Sequence, residues 1–182
     1  MTLQNRDRQG AEWGAYPITF VCYGTWLHGE EGAVDRDHNL RGTSFLHGDT
    51  GRLSRVQQRM KDEPYTLDTV RRQAVLKGVL QGCAVRQWLL VAAHMRTAHV
   101  HVVVQADRKP EHVMNALKAY ASRELNSLNL DAPDRRRWAR HGSTRYLWTS
   151  QQVTAAVHYV ICEQGEPMAI YEMPSAPYRS RF

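Results

Sequence analysis

The densest chemical signal in this chain is the triplet His99-Val100-His101. Residues two apart on a β-strand project from one face, so the two imidazoles can grip one divalent ion while Val100 points the other way, into a core. Two histidines alone hold a metal weakly, and a third ligand is wanted. Further along, Glu124 offers a carboxylate, and Tyr120 stands one helical turn before it on the same flank. An ion held by two imidazoles and a carboxylate polarises a phosphodiester, while a phenolic oxygen can attack phosphorus and hold the broken strand as a covalent ester. The ester retains the linkage energy, so a strand can be rejoined without ATP. The expected site is therefore His99, His101 and Glu124 around Mg or Mn, with Tyr120 as nucleophile.

Plainer readings stand beside these. A strand histidine pair can be hydrogen-bonded at a sheet surface, Tyr120 can be an aromatic at the rim of a core, and Glu124 can be a solvated helix charge. His94, across a hairpin from the pair, reads as a satisfied strand histidine. Lys118 turns away from Tyr120 by helical geometry. Asp35, Asp37 and His38 invite a second metal site, although loop acids more commonly form turns.

The elements that must position these groups can be read from periodicity. Residues 16–26 mix β-branched and aromatic side chains in alternation and predict a first strand. Residues 27–63 form a long Gly-, Asp-, His- and Arg-rich insertion, partly helical near 54–60. Helical spacing follows over 64–87 through Leu76, Val79, Leu80 and Cys83, with Thr66 or Asp68 as its cap. Residues 88–95 and 99–106 are short apolar runs split by a tight turn, which predicts a hairpin of two buried strands. Pro110 opens a second helix with the stripe Met114, Leu117, Ala121, Leu125 and Leu128, expected to pack on the sheet. A basic connection, a brief strand at 145–149 and a last helix from Ser150 to near Gly165 complete the order. Strand, helix, strand, strand, helix, strand, helix is an α+β, ferredoxin-like split βαβ antiparallel sheet with an added C-terminal helix. One domain over 1–166 and a Pro-containing tail over 167–182 are expected, with one sheet face left open for a ligand.

The chain has 182 residues, 42% hydrophobic and 23% charged, which excludes a mainly disordered or collagen-like protein. It contains no apolar run of membrane-spanning length and no apolar signal-peptide core, so a cytoplasmic protein is expected. Cys22, Cys83 and Cys162 are too scattered for a disulfide framework or a thiolate zinc site. The formal charge is +6, and only Lys61, Lys77, Lys109 and Lys118 of the 24 cations are lysine. Arginine presents a planar fork suited to phosphate, an argument for a polyanion partner that high-GC coding would equally explain. Arg135, Arg136, Arg137, Trp138 and Arg140, with Arg145 soon after, interleave cations with an indole, a combination that neutralises phosphates and stacks an unpaired base. The same segment also reads as a solvated loop whose tryptophan packs on the core.

A strand bearing His-hydrophobic-His (AHVHVVV) just after a hairpin, followed by a helix with a lone tyrosine and a metal-ligating side chain four positions on (YASRE), resembles the single-tyrosine HUH transposases. Within these it looks most like the REP-associated tyrosine transposases, and the resemblance spans residues 16–163. It implies a metal-dependent enzyme that cleaves and joins single-stranded or hairpin DNA, acting as a monomer or homodimer. By it, His99 and His101 correspond to the motif's metal ligands, Tyr120 to the nucleophile and Glu124 to the remaining ligand. Thr97-Ala98 stands where the family usually carries Pro-Asn, and Glu124 where Asn or Gln is commoner. A non-catalytic nucleic-acid-binding protein of the same fold and a phosphodiesterase using water are the alternatives.

Overall fold

A computed structural model of the protein describes residues 14–25, 27 and 49–174. Asp35, Asp37 and His38 of the insertion lie outside them. The first strand, β1 (Gly14–Cys22), is followed by helices α1 (Thr50–Gln58) and α2 (Thr69–Arg86) and the hairpin β2 (Leu89–Met95) and β3 (His99–Ala106). Then come α3 (Pro110–Ser127), β4 (Trp138–Thr144), α4 (Ser150–Cys162) and β5 (Ala169–Glu172). The strands form one antiparallel sheet in the order β4-β1-β3-β2-β5. Its first four strands have the ferredoxin-like order, so the expected α+β class and architecture are what the protein adopts. No described helix is long and apolar enough to cross a membrane.

Two boundaries differ from the pattern reading. The fourth strand is Trp138–Thr144 rather than 145–149, which retains only a single bridge from Leu147 to Ala15. The basic segment is thus drawn into the sheet edge. The expected tail also supplies β5, whose Ala169–Glu172 pair with Met95–Ala92 of β2; four residues are too few to show a period in the sequence.

Alternation divides the sheet into two faces. Tyr16, Ile18, Phe20 and Cys22 of β1 and Val100, Val102 and Val104 of β3 pack against Val75 and Val79 of α2 and Leu117, Ala121 and Leu125 of α3. Val103, Ala15 and Val91 face the other way and pack with Leu147 and with Val153, Ala156 and Val160 of α4. That helix covers β2 and β3. On the same face Pro17, Thr19 and Val21 of β1 are only half-buried, and Ser143 of β4, opposite Thr19, is exposed. The open face expected for a ligand is therefore a strip over β1 and β4.

Local signals set the helix ends. Asp68 caps α2, accepting from Arg71 N at 2.8 Å, and Gln87 closes it in a left-handed conformation at φ 57°. Pro110 occupies the first turn of α3, where its missing N–H costs nothing. Helices α2 and α3 meet closely because glycine lies at the crossing. A Cβ at Gly78 would stand 2.8 Å from both Ala121 Cα and the Tyr120 carbonyl oxygen. Gly78→Ala gains about 1 kcal/mol in helix propensity but overpacks backbone that cannot yield, typically at about 1–3 kcal/mol. A net loss of up to about 2 kcal/mol in urea unfolding is expected, and a variant more stable than wild type would contradict this packing.

Candidate active site

The histidine pair lies at the start of β3, beside the turn that joins it to β2. His99 and His101 share a face, their rings edge to face with centroids 4.7 Å apart. That face is the one carrying α4. His101 meets the ring of Tyr159 on α4, centroids 6.0 Å apart at 85°, and its Nδ1 lies 2.8 Å from Thr19 Oγ1 on the neighbouring strand. Register explains the second contact, since Thr19 and His101 are direct antiparallel partners. The Tyr159 side chain is half-exposed, and its carbonyl accepts from Gln164 Nε2 at 3.2 Å.

Tyr120 and Glu124 are not brought to this place. The alternation that sends Val100 and Val102 into the core under α3 sends His99 and His101 away from α3. The buried Tyr120 ring packs on α2, where a Cβ at Gly82 would meet its Cδ2 at 2.9 Å, and Arg123 covers it at 4.1 Å. Glu124 pairs with Lys77 of α2 at 2.7 Å. The expectation of one site holding all four residues is thus corrected: the sheet stands between the histidines and the Tyr120–Glu124 pair. Among the described residues no three His, Cys, Asp or Glu side chains gather as a metal-ligand cluster.

The histidines differ in their hydrogen bonds. His94, the cross-strand partner of His101, is fully buried. Its Nε2 accepts from Met168 N at 3.2 Å, so Nδ1 carries the proton donated to the Val160 carbonyl at 3.0 Å. Both nitrogens are used, as expected of a satisfied strand histidine. His101 differs: with Nδ1 engaged by Thr19, its buried Nε2 makes no hydrogen bond. A buried ring nitrogen without a hydrogen bond is what a ligand atom looks like before its ion is bound. Gln164 is the nearby oxygen donor, since its amide nitrogen is spent on Tyr159 and its side chain interacts with His101.

All three histidines are held neutral. Burial, then the neighbouring His99 and His94, lowers the His101 pKa to about 4 against a small opposing effect of Gln164. Burial followed by the Arg96 charge lowers His99, and burial lowers His94 despite its bond to Val160. A neutral imidazole is the form that binds a metal.

The basic segment divides into inward and outward parts. Arg137 is buried, 3.6 Å from Asp131, and Trp138 donates to Ser122 Oγ at 2.9 Å with its ring edge-on to Phe20. Arg135 is tied to Asp62 at 3.4 Å and to the Glu63 carbonyl. Arg136, Arg140 and Arg145 are exposed. Lys118 is buried under β4, donating to the Ala139 carbonyl at 2.9 Å and the His141 carbonyl at 3.2 Å.

Against this geometry, comparison with solved structures finds a fold likeness to a REP-associated tyrosine transposase bound to a REP hairpin. The TM-score is 0.50 at 10% identity, covering 90% of this chain and 72% of that one. No protein-family model matches the sequence, and no curated protein does. The likeness is one of fold.

Three residues at the site carry no weight in a search for His-x-His and the next tyrosine: Thr19, Tyr159 and Gln164. The signal for Tyr159 was present, because the last helix must cover the face that α2 and α3 leave bare. One consequence is measurable as stability. An unfolded histidine protonates near its ordinary 6.5 while folded His101 resists until about 4, so the unfolded state binds the extra proton between these values. Stability is complete above pH 6.5, falls as pH drops toward 4, and loses nothing further from this group below that. The contribution is on the order of 3 kcal/mol. Urea unfolding at pH 7.5 and 4.5 should show a shallower pH slope in His101→Gln than in wild type; equal slopes would refute the assignment.

Proposed function

We propose that this protein is an enzyme that cuts and rejoins single-stranded DNA, or the single-stranded flank of a hairpin, through a phosphotyrosine link formed by Tyr159. In this reading His99 and His101 hold a divalent ion, Mg or Mn, with the Gln164 amide oxygen in reach as a further ligand. The observation that carries it is the meeting of Tyr159 with His101 on one sheet face, beside an Nε2 that has no hydrogen-bond partner. The transposase-like fold supports a DNA-processing role.

The residues act as follows. Thr19 holds the His101 ring by Nδ1 and leaves Nε2 unpaired, and burial keeps the imidazoles unprotonated. When bound, the ion supplies positive charge to the non-bridging oxygens of the scissile phosphate. The Tyr159 phenolic oxygen bonds to phosphorus as the bond to the 3′ oxygen breaks. The phenolic proton passes to water and the leaving oxygen takes one up, so the step is proton-neutral. Rejoining is the reverse, with a 3′ hydroxyl displacing the tyrosine. The open strip of Thr19, Ser143 and Arg145 would carry the strand, with Arg140 and Arg136 at its margins.

End-labelled single-stranded DNA incubated with protein and Mn should yield a covalent adduct on a denaturing protein gel. Tyr159→Phe should abolish the adduct and leave DNA binding intact, while Tyr120→Phe should retain it. An adduct that survives in Tyr159→Phe and disappears in Tyr120→Phe would overturn the assignment. Removing the partner of a ligating histidine typically costs 10- to 100-fold in metal affinity. Thr19→Val should therefore weaken Mn binding by about that factor in calorimetry, and Thr19→Ser should restore it; unchanged affinity in Thr19→Val would exclude a supporting role for this hydroxyl.

A further inference from the structure

Beyond β4 the chain continues along the sheet edge as Arg145-Tyr146-Leu147-Trp148, and these residues keep strand alternation. Arg145 N donates to the Pro17 carbonyl at 3.3 Å and Leu147 N to the Ala15 carbonyl at 2.8 Å. Leu147 is buried against α4, which anchors the segment. Tyr146 and Trp148 point the other way and stack on each other, centroids 5.3 Å apart and planes 10° apart. The stack is braced: Tyr16 meets Tyr146 edge-on at 5.1 Å, and Gln152 Oε1 accepts from Trp148 N at 2.7 Å. Yet the indole is 66% exposed and the phenol 42%. Two rings held parallel at a surface, one largely in water, are not explained by core packing.

We propose that the Tyr146–Trp148 stack is a platform for an unpaired base of the DNA strand whose phosphate lies at His99 and His101. This rests on the proposed function and adds a contact to it. A braced indole offers a flat π-face that any base can cover without sequence preference. Charge favours a nucleic acid over an apolar protein partner. Arg145, next to the stack, is exposed and makes no ion pair among the described residues. Of the nearby acids, Asp107 has the Arg108 guanidinium at 3.7 Å, and Glu111 accepts from Thr144 Oγ1 at 2.9 Å. Placement fits as well. Arg145 lies opposite Pro17, two strands across and two residues along from His101, roughly 10 Å by 7 Å. The stack lies with Tyr16 on the α2–α3 face, so a strand leaving the histidines over the open strip meets Arg145 first and reaches the stack by turning over the edge of β4.

The test uses the full chain without metal and a labelled DNA hairpin with a short single-stranded flank, the hairpin fixing register. One abasic site is walked along the flank. Wild type should lose about tenfold in affinity at one flank position. Trp148→Ala should lose a similar factor with the intact flank and nothing more when that base is missing, while Trp148→Phe should recover most of the loss. Wild-type affinity in Trp148→Ala, or an abasic penalty that persists unchanged in it, would overturn the platform, and so would a wild type that binds no DNA. The covalent adduct is read separately with Mn. Its absence alongside an intact abasic footprint would overturn the cleavage reading and keep the platform.

Discussion

The alternation of β3 is the constraint on which the rest depends. Its even-numbered residues Val100, Val102 and Val104 fill the core beneath α2 and α3, and its odd-numbered residues turn to the face that α4 covers. A slip of one residue would exchange the two sets, placing histidines in the core and valines at the site. Burial of the valines therefore holds the histidines in position. Because β3 is paired on both sides, with β1 through Thr19 and with β2 through His94, its chemical groups inherit a rigid setting from two neighbours.

Those neighbours give like residues unlike fates. His94 and His101 sit opposite one another and are both held neutral by burial. His94 spends one nitrogen on the Val160 carbonyl and the other on Met168 N, tying α4 and the start of β5 to β2. His101 spends one nitrogen on Thr19 and keeps the other unpaired. A buried polar atom without a partner costs on the order of 1–3 kcal/mol, and functional sites are where such a cost is tolerated. The difference between the two histidines is thus one hydrogen bond, supplied to His94 by a main-chain amide arriving from another element.

This also marks how far the sequence could be read. Period-two and period-3.6 patterns were enough for β1, α2, the β2–β3 hairpin, α3 and α4, and their order implied the sheet. The histidine pair was legible from spacing alone. The tyrosine that meets the pair was not, because proximity along the chain favours Tyr120, whereas parity keeps it away: if Val100 faces the core that α3 covers, His99 and His101 cannot face α3. Followed through, the same alternation leads to the last helix and Tyr159. The start of β4 and all of β5 were hidden for a different reason, since a basic stretch ending in Gly142 and a four-residue edge strand lack the apolar alternation that marks a strand.

The basic run illustrates why composition locates charge without locating function. Arg137 and Arg135 crowd the Tyr65 ring at 6.0 and 5.4 Å, and Arg71 joins them at 5.9 Å. Three guanidinium groups around one ring are tolerable because Asp131 enters among them, accepting from Tyr65 Oη at 2.6 Å and from Arg71 at 2.7 Å. Burial alone would raise the Asp131 pKa, but the Arg71 and Tyr65 hydrogen bonds and the Arg71 and Arg137 charges hold it below its ordinary range. The cluster joins the start of α2 to the segment leading into β4, and so seats the edge strand that borders the open strip. Arg71 and Arg137 face Asp131 from inside this cluster, whereas the Arg145 guanidinium is exposed and makes no ion pair among the described residues.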